Sequence, residues 1–253
     1  METEPTYSGA EIDKPRRSPG GGGKFPLLGV AVLAVIVLAI VITVILLAKS
    51  IVRDAEAPVD LRSEKTLKIS AVQEKVEAEN WISVELLPIN EYSRPGIYLE
   101  EINSVVIHYV GNPATTAAQN RSYFAGLAQS GETYASSNFL IDLDGSILSC
   151  VPVDEVAYCS NKRNEDSISI ECCHPDENGE FSEDTYASVI KLAAWLCLEF
   201  ELTADDVIRH YDITGKECPL YYVVNEDEWD DMRENIADEI DALLAAREDI
   251  VPE

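Results

Sequence analysis

The chain has 253 residues, and its 19 Lys and Arg stand against 46 Asp and Glu, a formal net charge of −27. That length holds one domain of ordinary size with appendages. So acidic a surface repels phosphate backbones and excludes nucleic acid as a partner; its plainest role is solubility. From Glu101 to the end, 32 acidic residues face 8 basic ones, so most of the charge sits in the C-terminal part. The six cysteines, at 150, 159, 172, 173, 197 and 218, are too few for a disulfide scaffold and form no CxxC pair. Cys150 and Cys159 flank a short connection that leaves a bridge open, whereas Cys197 reads as a small hydrophobe in a helix.

In chain order, residues 1–24 are rich in Pro, Gly, Ser and charge and read as a disordered cytoplasmic tail. No charged residue occurs between Lys24 and Lys49, and the apolar run at 25–48 is long enough to predict a single transmembrane helix. Lys14, Arg16, Arg17 and Lys24 precede it without an intervening acid. The positive-inside tendency then predicts a single-pass protein of the cell membrane, with its N-terminus cytoplasmic and its larger part outside. Residues 49–81 read as a polar stalk, part helical through SEKTLKISAVQEKVEAEN.

A folded domain is expected over 82–253. SVVIHYV at 104–110, NFLIDL at 138–143, SILSCV at 146–151 and SISIEC at 167–172 read as strands, with Asp144-Gly145 joining the middle two as a hairpin. Ser182 caps a helix whose core face is Val189, Ala193, Leu196 and Phe200. A last helix over 226–247 carries Trp229, Met232, Ile236, Ile240 and Leu243 as its stripe. Strands interleaved with helices predict an α/β fold, a central mixed β-sheet flanked by helices.

Only three histidines occur. His108 closes an apolar strand on the face of Val106, and His210 and Cys218 share the segment HYDITGKECP, which Gly215 lets turn. Two imidazoles and a thiolate suit tetrahedral zinc with a fourth position left for water. The same residues also fit a hydrogen-bonded strand-end histidine, or a cysteine hydrolase using Cys218 and His210 as nucleophile and base. Cys172, Cys173 and His174 form a compact metal-capable cluster, but adjacent cysteines on a strand point to opposite faces.

VVIHYVGNP at 105–113, SSNFLIDLDGSILSCVP at 136–152, RNEDSISIE at 163–171 and RHYDITGKECP at 209–219 come in an order that resembles the zinc-dependent N-acetylmuramoyl-L-alanine amidases, whose fold peptidoglycan recognition proteins share. The resemblance covers about Leu86 to Trp229. It implies Zn²⁺ held by His108, His210 and Cys218, catalytic roles for Glu171 and Lys216, and peptidoglycan as substrate, cut between N-acetylmuramic acid and L-alanine. It also leaves open a non-catalytic peptidoglycan-binding receptor. The strand reading agrees for Glu171, which lies opposite Ile168 and Ile170 on SISIE. Some members of that family carry a catalytic tyrosine where Ser137 stands here, which puts a tyrosine-based mechanism in doubt.

Overall fold

The computed structural model describes residues 35–47, 49 and 63–248. The chain divides into two compact units, Met1–Asp60 and Leu61–Glu253. In the first, residues 35–47 are helical. Among the described residues no helix is long and apolar enough to cross a membrane. This corrects the expected transmembrane helix over 25–48, and with it the anchoring and single-pass placement built upon it. Residues 1–34, 48, 50–62 and 249–253 lie outside the described residues, and with them the tail at 1–24 and part of the stretch read as a stalk.

The second unit opens with helix α1 (Glu64–Ala78), whose N-cap Ser63 accepts a hydrogen bond from the Thr66 N–H. Ile69, Val72 and Val76 recur along one face of α1 and are buried in the main core. The compact unit therefore begins on the N-terminal side of residue 82.

Six strands form one sheet: β1 (Ile82–Val84), β2 (Ser104–Tyr109), β3 (Phe139–Ile141), β4 (Ile147–Ser149), β5 (Ser167–Cys172) and β6 (Val207–Arg209). Their order is β1-β4-β3-β5-β2-β6. Only β3 and β4 pair antiparallel; every other pairing is parallel. The expected mixed sheet flanked by helices is thus the observed architecture. Gly145 closes the β3–β4 hairpin at φ +78°, and a Cβ there would meet the Asp184 carbonyl oxygen at 2.7 Å. Glycine is needed on both counts.

One face of the sheet packs on α1, on α3 (Glu183–Glu199) and on the last helix, α6 (Glu226–Glu248). Val105, Ile107, Ile168 and Ile170 meet Val189, Leu192, Leu196, Met232 and Ile236 there. Each fully buried aliphatic side chain contributes roughly 1.5–3 kcal/mol. Ser182 caps α3 as expected, accepting from the Thr185 N–H at 3.1 Å. The opposite face carries α2 (Ala117–Ser130) and a second, smaller cluster that includes Phe124, Leu140, Val151 and Cys173. Cys172 lies in the first cluster and Cys173 in the second, as strand alternation requires.

Candidate metal centre

Period-two alternation divides β5 and β2 cleanly. Ile168 and Ile170 enter the main core beside Val105 and Ile107, so Glu171 and His108 turn to the other face. The two are register partners in the parallel ladder, His108 opposite Glu171. On the far side of β2, the ladder aligns Ile107 with Arg209, and His210 follows at once. The rings of His108 and His210 lie 4.8 Å apart, centre to centre. Three neighbouring parallel strands thus bring Glu171, His108 and His210 side by side at their carboxyl ends, where open α/β sheets collect their functional groups.

Arg209 fixes the end of β6. Buried, it donates to both carboxylate oxygens of Asp212, to Glu226 and to the Tyr222 carbonyl. His210 starts the short helix α4 (His210–Thr214), which Gly215 ends in the left-handed conformation at φ 78°. The chain then folds back until the Tyr211 N–H donates to the Cys218 carbonyl at 2.9 Å. Cys218 just precedes helix α5 (Leu220–Val224), and its Sγ stands 3.8 Å from His108 Nδ1.

One donor atom each from His108, His210 and Cys218 lies within 4.8 Å of the others, and all three residues are buried. They could hold a metal ion. Burial, and then the charges of His210 and Lys216, push the His108 pKa well below its ordinary value, which keeps the ring neutral as a ligand must be. Burial and the neighbouring Glu171 charge push the Cys218 thiol up to about 12. A thiol so raised is a poor free nucleophile, which argues against the cysteine hydrolase. A cation beside it would reverse that preference.

Glu171 is half-buried, and burial raises it to about 7 against the opposing influence of the Cys159 hydrogen bond and Lys216. Its Oε1 accepts from the Cys159 thiol at 3.4 Å, while its Oε2 is occluded and has no partner. Lys216 is exposed, yet its charge is felt at Glu171, His108, His210 and Cys218.

The residues that sequence reading missed are Ser160 and Asn161. Ser160 Oγ lies 3.1 Å from His108 Nε2, and Asn161 Oδ1 accepts from His210 Nε2–H at 2.7 Å. Cys159, Ser160 and Asn161 are consecutive, so one loop touches Glu171, His108 and His210 in turn. Asn164 Oδ1 shapes that loop by accepting from the N–H groups of Cys159 and Ser160. Asn161 sits at φ 52°, a left-handed conformation that asparagine tolerates better than most residues. A cavity of about 1120 Å³ is lined by Asn161 but by none of His108, Glu171, His210, Lys216 and Cys218; Glu101 and Asp166 place it toward the amino ends of β2 and β5.

Other candidates fall outside the centre. His174 is buried against Tyr109 with its Nδ1–H donating to the Asp176 carbonyl, and it joins neither potential metal group. Ser137 is fully buried and donates to the Phe139 carbonyl. All six cysteines are free, Cys150 within the smaller cluster, so Cys150 and Cys159 form no bridge.

The sequence profile of a family described as N-acetylmuramoyl-L-alanine amidase matches residues 98–220. Two curated relatives are similar over slightly more than half of the chain. The N-acetylmuramoyl-L-alanine amidase BlyA of Bacillus subtilis (strain 168) is 32% identical over 171 residues, 59% of this chain and 45% of its own length. A probable N-acetylmuramoyl-L-alanine amidase of Bacillus licheniformis is 31% identical over 147 residues, 53% of this chain and 41% of its own. The chain spans less than half the length of these relatives. Among solved structures, a mutant endolysin from Bacillus subtilis superposes with a TM-score of 0.53 at 25% identity, covering 61% of this chain and 97% of that one.

Proposed function

We propose, from the match of residues 98–220 to the N-acetylmuramoyl-L-alanine amidase family, that this chain is a peptidoglycan hydrolase that cleaves the amide between N-acetylmuramic acid and L-alanine. The observation that carries the reading is the adjacency of two chemistries. A buried His108–His210–Cys218 donor set stands on the strand next to a carboxylate held near neutrality.

We assign the metal as zinc, with His108, His210 and Cys218 as its ligands. Two imidazoles and a thiolate are zinc's preferred donors, and three protein ligands leave a fourth position open. Bound there, zinc would acidify water and polarise the scissile carbonyl. Glu171, raised to about 7, accepts the proton of the attacking water and returns it to the departing amine of L-alanine. Lys216 places a positive charge where the carbonyl oxygen turns negative. Ser160 and Asn161 hold the outer nitrogens of the two histidines, which sets ring orientation and tautomer. The folded domain is taken to run through residues 82–253 with α1 packed upon it.

A non-catalytic receptor would have no use for a basic carboxylate beside the donor set. A glycosidase would need two carboxylates flanking the sugar bond. End-group analysis of digested walls tests the reading. New N-terminal alanine without new reducing sugar ends is expected. New amino groups on diaminopimelate or D-alanine alone would make the chain a peptidase.

A further inference from the structure

We propose that Cys159, Glu171 and His108 form a second seat for a thiophilic divalent cation, of the class of zinc or cadmium, whose occupation silences the enzyme. One donor atom each from these three residues also lies within 4.8 Å of the others. The set shares only His108 with the first, and both Cys159 and Glu171 are half-buried.

The Cys159–Glu171 hydrogen bond accounts for Oε1 alone. Oε2 remains buried without a partner, which is uncommon for a carboxylate oxygen. A thiolate with a carboxylate and an imidazole is a donor set for soft or borderline cations and not for magnesium or calcium. His108 can serve both seats, because Nδ1 faces Cys218 while Nε2 lies toward Ser160, the neighbour of Cys159. The surrounding surface, with 46 acidic residues in the chain against 19 basic, raises the local concentration of cations.

Binding exchanges atoms in balance. Cys159 gives up its thiol proton and His108 the proton on Nε2, both to water, and the hydrogen bonds to Glu171 and Ser160 give way to bonds to the cation. The cation's charge then lowers the proton affinity of Glu171, which becomes a far weaker base toward the attacking water. The inhibitory half of the proposal rests on the amidase reading; the seat itself does not.

The test titrates cadmium into the metal-free full chain and follows the ultraviolet thiolate-to-cadmium absorbance, with Cys159→Ser and Cys159→Ala alongside. The wild type should show two increments, one from Cys218 and one from Cys159, and each variant only the first. The cysteines at 150, 172, 173 and 197 belong to neither donor set and should add nothing. Wall digestion, read against each protein's own rate without excess metal, should fall in step with the second increment. In the variants the fall should need more than the roughly 10–100-fold extra cadmium that loss of even an outer partner would require. A single increment in the wild type, two in both variants, or undiminished digestion once the second is complete would overturn the proposal. Failure of the amidase reading would look different, with no digestion at any cadmium level and both increments intact.

Discussion

His108 and Glu171 face each other across one rung of the parallel β2–β5 ladder, and consecutive loop residues, Ser160 and Cys159, contact one each. A potential metal ligand and a carboxylate are thereby held at fixed spacing by the backbone itself. Such a site needs no rearrangement of main chain to work, which is the condition for preorganised catalysis.

Glu171→Gln should therefore keep fold and zinc while losing most turnover. The amide preserves shape but cannot accept a proton, and general acid–base help is typically worth about 10²–10⁴-fold. Wall-digestion rates beside metal analysis of the same preparation check this. Near-normal digestion would assign the base to another group.

The raised Glu171 also sets a stability dependence in the metal-free protein. Its folded-state value, about 7, lies above the ordinary 4.5, so between those values the folded state binds more protons than the unfolded one. Stability contributed by this group is then present at low pH and lost as pH rises from about 4.5 through about 7. Denaturant titrations of metal-free wild type and Glu171→Gln across that window should show a falling difference, with wild type losing ground as pH rises. A flat difference would mean that burial does not shift the group.

Cys218→Ser should strip the centre of most of its zinc. An alcohol is a far weaker zinc donor than a thiolate, and the loss should exceed the roughly 10–100-fold that even an outer partner costs. Metal content after dialysis against a chelator gives the answer. Full occupancy with full activity would remove Cys218 from the ligand set.

The strands that carry the centre were legible because SVVIH and SISIE are short β-branched runs with one face apolar. The hairpin was legible through Asp144-Gly145. Helix α2 was not, since only Ala117, Phe124 and Leu127 of its 14 residues are buried and the rest resembles a polar loop. Its signal was the Thr116–Gln119 capping box. Ser160 and Asn161 could not be found from spacing, because they meet histidines 52 and 49 residues away in sequence, and only the folded chain brings these together. The apolar run at 25–48 shows the opposite failure: composition alone suggested a span, yet among the described residues no helix is long and apolar enough to cross a membrane.

Removing α1 should destabilise the domain. A fragment starting at residue 82 loses the buried Ile69, Val72 and Val76, each worth roughly 1.5–3 kcal/mol. It also leaves the Val153 N–H without Gln73 Oε1 and the Leu99 carbonyl without Thr66. Chemical denaturation of fragments starting at 61 and at 82 should separate them by several kcal/mol. Equal midpoints would return α1 to the status of a stalk.

Asn161 offers the sharpest test of the outer partners. Its Oδ1 accepts from His210 Nε2–H at 2.7 Å, which leaves the lone pair on Nδ1 for a metal. Asn161→Asp keeps an acceptor at the same reach and tolerates the left-handed backbone, so it should retain zinc affinity. Asn161→Leu keeps bulk but removes the acceptor, and its affinity should fall by about 10–100-fold in competition with a chelating dye. Backbone strain alone would also weaken the leucine variant, so Asn161→Gly, free of strain at φ 52°, separates the causes. If glycine binds zinc as tightly as aspartate does, Asn161 serves the loop and not the ring. If glycine resembles leucine, the hydrogen bond to His210 is what holds the metal's ligand in place.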